Sequence, residues 1–351
     1  MLKKLRRFLF PFSLLYGFGT SVRNKLYDSG KLHSVEFDLP VISIGNLSAG
    51  GTGKTPMTEY LIQLLSPGFQ LGVLSRGYKR KTKGFVLASP ESTTADIGDE
   101  PMQLHEKFPE VTIAVAEIRV MGIPFMLQAH PGIEVILLDD AYQHRAIKAG
   151  LQILLTDYTN LYTRDLLLPA GNLRESASGS SRADIIIVTK CNPEMTKDEK
   201  EKIATELNPL LHQKLYFTKI RYGVPYHFIS GEELQPQNQE VMLVCGIANP
   251  RPFIKEAETL FRLAEKMTFG DHHAFSQSDI KNIVSRFEKL NRDHRLLLTT
   301  EKDAVRLRKF EKDLQHLPLY VWPVKHEFLF DEGPLFDNQI LLFCEGFHKA
   351  I

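Results

Sequence analysis

Lys54 and Thr55 close the run G-N-L-S-A-G-G-T-G-K-T, and this spacing serves to hold the phosphates of a nucleotide. Glycines let successive backbone N–H groups turn toward one point, and the helix that follows adds the unpaired donors and positive pole of its first turn. The lysine then reaches the β- and γ-phosphates, and the threonine hydroxyl ligates Mg²⁺. Asn46, Ser48, Ala49, Gly50, Gly51, Thr52, Gly53, Lys54 and Thr55 are therefore the expected ATP contacts. Ser48 stands where the first glycine of G-x-x-x-x-G-K-[ST] would fall, and Gly50 and Gly51 can supply the missing freedom.

A second group of residues could do chemistry beside it. Asp139 and Asp140 end the apolar run Val135–Leu138. An acid closing a strand after a phosphate loop holds Mg²⁺ directly or through water, and two adjacent acids repel unless a cation is near. Thr55, Asp139 and Asp140 are thus the expected metal set. Gln143, His144 and Arg145 would line the same rim, His144 equally well as a structural histidine. Arg76, Tyr78, Lys79 and Arg80 follow the strand Leu71–Leu74, beyond whose carboxyl end an anionic substrate would lie. Asp99 and Glu100 open a helix at I-G-D-E-P, where carboxylates also serve as caps. Asp271, His272 and His273 are contiguous, which lacks the spaced ligands of a zinc site.

The elements that must carry these residues read as alternating strands and helices. Val41, Ile42 and Ile44 form a buried strand, and Tyr60, Leu61, Leu64 and Leu65 take a helical period. Further strands are expected at Thr112–Val115, Leu151–Thr156, Ile185–Thr189 and Lys214–Tyr222, with a charged helix over Met195–Leu207. Arg174 and Glu175, in L-L-L-P-A-G-N-L-R-E, project from the same sheet edge. The polar stretch Gly231–Glu240 suits a hinge, and V-M-L-V-C-G-I-A-N-P begins a second α/β unit whose later helix is capped by Thr300 with Asp303 three positions on. The expected fold is α/β: a P-loop kinase-like, mostly parallel sheet flanked by helices, with a second, smaller α/β domain. The expected divisions are an N-terminal helix over 1–30, a nucleotide-binding domain over 31–214, a linker over 215–238 and a C-terminal domain over 239–351.

Composition bounds the function. With 351 residues, 43% hydrophobic and 24% charged, the chain can bury two cores, and a net charge of +1 gives a nucleic-acid partner no global support. Three scattered cysteines suit a reducing compartment and give no metal spacing. Met1–Lys25 surrounds F-L-F-P-F-S-L-L-Y-G-F with Lys3, Lys4, Arg6, Arg7, Arg23 and Lys25 and holds no acid. That run is too short to span a bilayer and lacks a signal-cleavage site. Two readings stay open: a helix lying in an anionic membrane surface, or one packed on its own domain. V-T-K-C-N misses the guanine-reading N-K-x-D at both ends, and Tyr142 occupies the glycine position of a D-x-x-G switch.

The ordered motifs G-N-L-S-A-G-G-T-G-K-T-P, S-R-G-Y, G-D-E-P, D-D-A-Y-Q-H-R, L-P-A-G-N-L-R-E, G-I-A-N-P, F-G-D-H-H and T-E-K-D-A-V resemble those of the tetraacyldisaccharide 4'-kinases over most of the chain. This resemblance implies an ATP- and Mg²⁺-dependent kinase acting on the 4'-hydroxyl of a tetraacylated glucosamine disaccharide in lipid A biosynthesis. It implies work at the cytoplasmic face of the bacterial inner membrane through an N-terminal membrane-associated helix. Two α/β/α domains and a flexible linker are implied as well. Residue by residue it assigns Lys54 and Thr55 to nucleotide and metal, Asp139 and Asp140 to the metal, and Asp99 with His272 to accepting the hydroxyl proton. Arg76, Tyr78 and Arg174 would contact phosphate or substrate, with Gln143 on the substrate rim. Ala141 stands where the family usually has glycine, and Asn172 where it usually has proline. No nucleic-acid or protein partner is implied. A nucleotide-switched ATPase would carry its signature lysine at Ala49, and a kinase of soluble sugars would not need the basic apolar N-terminus.

Overall fold

The computed structural model describes residues 6–235, 239–290 and 295–348. Strands β1 (Val41–Asn46), β2 (Leu71–Ser75), β3 (Val86–Leu87), β4 (Thr112–Val115), β5 (Val135–Asp139), β6 (Leu151–Asp157), β7 (Ile185–Thr189) and β8 (Lys214–Tyr222) share one sheet. Its order is β14-β8-β7-β6-β1-β5-β2-β4-β3, where β14 is Val324–Phe328. Pairings from β8 to β4 are parallel, and only the edge strands β3 and β14 run antiparallel. All six residues of β1 are buried because helices cover both faces, the usual reason a parallel strand reads as a continuous apolar run. Ile42 and Ile44 pack with Met57, Leu61 and Leu65 of helix Lys54–Leu65, and Val41 packs on the opposite face with Ile123 and Met126. From β1 the chain moves toward β2, and after β5 it crosses to β6 on the other side of β1. The crevice where those connections diverge is where ligands of open α/β sheets bind.

A second sheet contains β9 (Tyr226–His227), β10 (Glu240–Cys245), β11 (Arg262–Thr268), β12 (Arg295–Thr300) and β13 (Leu319–Trp322), ordered β11-β10-β12-β13-β9. The chain enters this unit past Gly223 and leaves it at Pro323, where the two crossings bond through Gly223 N–H to Pro323 O at 2.9 Å. The structure differs here from the expected divisions. Lys214–Tyr222 is a strand of the first sheet rather than linker, and Glu233 pairs with Tyr226 inside the second unit. Residues 236–238 of the expected hinge lie outside the described residues. The expected C-terminal domain also gives up its end. β14 covers the β8 edge, and Phe336, Ile340 and Cys344, four apart on helix Gly333–His348, enter the first core.

At the other terminus, helix Phe10–Asp28 sits on the first unit through its small residues. The Ser13 hydroxyl donates to Leu167 O at 2.9 Å, and a Cβ on Gly17 would meet Leu167 Cδ1 at 2.6 Å. Phe8, Phe12, Leu15 and Phe18 face outward. Among the described residues no helix is long and apolar enough to cross a membrane. Residues 1–5 of the basic N-terminus lie outside the described residues.

Candidate active site

The phosphate loop between β1 and its helix is braced from three sides. Gly53 at φ 86° and Gly50 at φ 131° take backbone that side-chain-bearing residues avoid. Asn46 Nδ2 donates to Thr52 Oγ1 at 2.9 Å, and Thr189 Oγ1 donates to Thr52 O at 2.8 Å. The 166–175 loop lies alongside. Ala49 N–H donates to Asn172 O at 2.7 Å, Ser48 bridges Leu173, and Arg174 N–H donates to Leu47 O at 2.7 Å. Asn172 also bonds Asp165 Oδ2 at 2.9 Å and accepts from Arg6 at 3.0 Å. From β14, His326 reaches Gly53 O at 2.8 Å, and Lys190 bonds Gly51 O.

Lys54 and Thr55 open the helix, and Lys54 Nζ stands 3.5 Å from Asp140 Oδ1. Asp139 is buried at the end of β5 with Thr58 Oγ1 donating to it at 3.3 Å. Burial and the neighbouring Asp140 push its carboxyl up to about 7, against Lys54 and Thr58. Asp140 moves the other way: burial opposes, but Lys54, Arg174 and Arg119 outweigh it and hold it below the usual carboxylate range. Arg174 Nη1 bonds Asp140 Oδ1 at 3.0 Å and lies 3.4 Å from Gln143 Oε1, and Gln143 Nε2 donates to Asn46 O at 2.8 Å. Asp140 itself sits at φ 48°, a conformation rare for a non-glycine residue. Ala141 is buried with its N–H on Ile44 O.

On the connection from β2 to β4, Asp99 starts helix Asp99–Lys107 beside the S-R-G-Y turn, where a Cβ on Gly98 would meet Tyr78 O at 2.9 Å. His272, carried by the second unit, brings Nδ1 to 2.9 Å from Asp99 Oδ2. Tyr78 places its ring 5.5 Å from the His272 ring, while Arg76 is exposed. Burial raises the Asp99 carboxyl, but Arg306 and His272 outweigh it and hold it below the usual range. Glu100, next to Asp99, adds to the field on Asp139.

Sequence reasoning missed several contributors. Arg119 is buried with its guanidinium 3.3 Å from Asp140 O, and its only sequence signal is a lone cation opening the apolar run R-V-M-G-I-P-F-M-L. His144 is pushed down to about 4 by burial and by the positive charges of Arg119, Arg23 and Arg76, so that rim favours an anion. Lys302 falls inside the motif T-E-K-D-A-V and Arg306 directly follows it, yet sequence reasoning gives neither a role, and His326 gives no local signal.

A phosphate loop whose lysine meets a pair of strand-end acids, together with a carboxylate–imidazole contact between the two units, narrows the kinds of enzyme the chain can be. A model of the tetraacyldisaccharide-1-P 4'-kinase family matches residues 5–343. The chain belongs to that family. It is 47% identical over 353 residues to the tetraacyldisaccharide 4'-kinase of Bacteroides fragilis strain YCH46, covering 96% of this chain and 93% of the relative. It is 46% identical over 333 residues to that of Flavobacterium johnsoniae, covering 93% and 95%. The crystal structure of LpxK from Aquifex aeolicus in complex with ATP is similar at a TM-score of 0.77 and 30% identity, covering 97% of this chain and 99% of that one.

Proposed function

We propose that this 4'-kinase family member transfers the γ-phosphoryl group of ATP to the 4'-hydroxyl of a tetraacylated glucosamine disaccharide in lipid A biosynthesis. The observation that supports the reading is the 2.9 Å contact between Asp99 of the first unit, on the connection from β2 to β4, and His272 of the second. The backbone of 46–55 and Lys54 bind the triphosphate, and Arg174 holds Asp140 in place beside Lys54. A sugar hydroxyl is a weak nucleophile, so an acceptor for its proton lowers the barrier, and Asp99 backed by His272 fills that role. Arg76, Tyr78 and Gln143 form the substrate rim, where Arg76 joins Arg119 and Arg23 in the positive field on His144. The two sheets act as two domains hinged at Gly223 and Pro323, so that their approach assembles the pair and excludes water.

The donor set fits Mg²⁺. Among the described residues no cluster of three or more His, Cys, Asp or Glu could cage a metal, but this ion takes only one or two carboxylates and completes its shell with water and phosphate oxygens. Thr55, Asp139 and Asp140 would hold it, and the buried carboxylate at Asp139 has a raised affinity for protons that a cation would relieve. When bound, the ion would neutralise charge on the β- and γ-phosphate oxygens. The outward apolar side of helix Phe10–Asp28 supports a helix resting in an anionic bilayer, and with ATP as donor the reading is of an enzyme working at the cytoplasmic face of the inner membrane.

The test is transfer of label from γ-labelled ATP into the organic phase with a disaccharide lipid acceptor, comparing wild type with Asp99→Ala. Labelled lipid is expected for the wild type, with kcat at least about a hundredfold lower in the variant and ATP affinity retained. Label appearing only as inorganic phosphate would reject the acceptor, and an unchanged kcat in Asp99→Ala would reject the base.

A further inference from the structure

Lys302 and Arg306 lie one turn apart on helix Glu301–Leu307 of the second unit, and both reach the first. Arg306 is nearly sealed, its side chain 6% exposed. Within its own unit Nη1 donates to Gly246 O at 3.1 Å and to Asp303 Oδ1 at 3.0 Å, and Asp303 is itself fixed by Gly246 N–H at 2.9 Å and Thr300 Oγ1 at 2.7 Å. The guanidinium is therefore oriented before it meets the other unit. There Nε and Nη2 both fall on Asp99 Oδ2, at 2.8 and 2.7 Å, the same oxygen that faces His272 Nδ1. Lys302 Nζ stands on the far side of the imidazole, 3.2 Å from Nε2, and donates to Glu100 Oε1 at 2.8 Å.

We propose that Arg306, assisted by Lys302, is the positioning residue of the proton-accepting pair: by pinning Asp99 through Oδ2 it fixes the carboxylate to His272 when the two units meet and leaves Oδ1 for the substrate hydroxyl. This rests on the reading of Asp99 and His272 as that pair. A lysine at 306 would keep the charge but not the planar fork that holds Asp99, Asp303 and Gly246 together. The charged groups facing Asp99 are Glu100 from its own helix and Arg306, His272 and Lys302 from the opposite unit, with Asp271 3.8 Å from His272 Nε2 and Asp303 behind Arg306. Without Arg306 the carboxylate keeps its burial and its acidic neighbours and loses its strongest counter-charge.

The experiment compares Arg306→Ala, Arg306→Lys and Asp99→Asn in steady-state kinetics across pH, with and without millimolar guanidinium. In Arg306→Ala the expected kcat is roughly tenfold lower or more at unchanged KM for ATP. The acid limb of its kcat profile is expected to move up by about one pH unit or more. Guanidinium should restore part of the rate and return the limb toward its wild-type position. Arg306→Lys should keep the wild-type limb at reduced kcat, and it carries the test if the alanine variant does not fold. If Asp99→Asn is inactive while both Arg306 variants keep the wild-type profile and rate, the positioning role is overturned and the base stands. A wild-type kcat in Asp99→Asn overturns both. A rate loss that guanidinium does not restore and that follows a lowered Tm makes Arg306 structural and overturns the proposal.

Discussion

His326 meets the phosphate loop from 273 residues further along the chain, and its two partners define its state. Gly53 O can only accept, so Nε2 carries the proton and donates at 2.8 Å, while Nδ1 accepts from Thr218 Oγ1 at 2.9 Å. Burial pushes this imidazole down to about 4, so it stays neutral in the folded protein while an unfolded chain would protonate near 6.5. Between those values the unfolded state binds more protons. The contribution is therefore fully present above pH 6.5 and is lost as pH falls toward 4, by as much as about 3 kcal/mol. His326→Gln can keep both bonds and cannot titrate, so its urea midpoint should fall less than the wild type's from pH 7 to pH 5. Equal slopes would place the pH sensitivity elsewhere, with His144 the next group to test. Legibility divides along the same line. Lys54, Thr55, Asp139 and Asp140 could be read because a phosphate loop and a strand end are local patterns, and Asp99 and His272 through the family's motifs. Lys302 lies in the motif T-E-K-D-A-V, with Arg306 beside it, but the roles of both, like that of His326, could not be read, since each acts through a partner that only tertiary folding supplies.

The first helix inverts the usual arrangement of an element on a globular surface. Its small residues, Ser13 and Gly17, are the buried ones, while Phe18 on it and Phe8 just ahead of it are 72% and 82% exposed. Polar contacts hold it on the site: Tyr16 OH donates to Arg174 O at 2.8 Å, Arg23 Nη2 to Gln143 O at 2.5 Å, and Asn24 Nδ2 to Glu175 Oε2 at 2.8 Å. Of the two readings the sequence left open, packing on the body is thus observed, and the outward aromatic face is what a bilayer would cover. Deleting the helix would disturb the substrate rim together with any membrane contact, so truncation cannot separate the roles. Replacing Phe8, Phe12, Leu15 and Phe18 by serine leaves the rim contacts intact. Each of these side chains is worth about 1.5–3 kcal/mol on full burial, so the variant should bind anionic vesicles on the order of a hundredfold more weakly, even with only part of each side chain inserted. KM for the lipid acceptor should rise while KM for ATP holds. Vesicle sedimentation equal to wild type would show that the apolar face serves something other than a bilayer.

At the scale of the whole chain, the alternation of apolar runs and helical periods made the parallel sheet readable, because each βα step is decided locally. The return of β14 and the last helix to the first unit was not readable, since an edge strand is chosen by the open edge it meets. The two units meet along helices Asp99–Lys107 and Glu301–Leu307, and beside the Asp99–Arg306 contact their junction holds a triad. Lys107 Nζ bonds Glu59 Oε2 at 2.6 Å, on the phosphate-loop helix, and Glu301 Oε1 at 2.5 Å, on the second unit. Glu59 is 3% exposed, and burial together with Glu301 pushes its carboxyl up to about 7 despite Lys107 and Gln103. A raised acid in the folded state contributes stability that is fully present below about 4.5 and lost as pH climbs through about 7. Lys107→Met should therefore destabilise by about 3 kcal/mol at pH 8, the low end for a broken buried pair because the ammonium is partly exposed. Glu59→Gln keeps an acceptor for Lys107 and removes the second buried charge. Its stability relative to wild type should be near zero at pH 5 and favourable at pH 8, measured by urea unfolding at both. A glutamine variant that loses stability on going from pH 5 to pH 8 would mean that the ionised Glu59–Lys107 pair, rather than the repulsion between the two glutamates, governs how the units hold together.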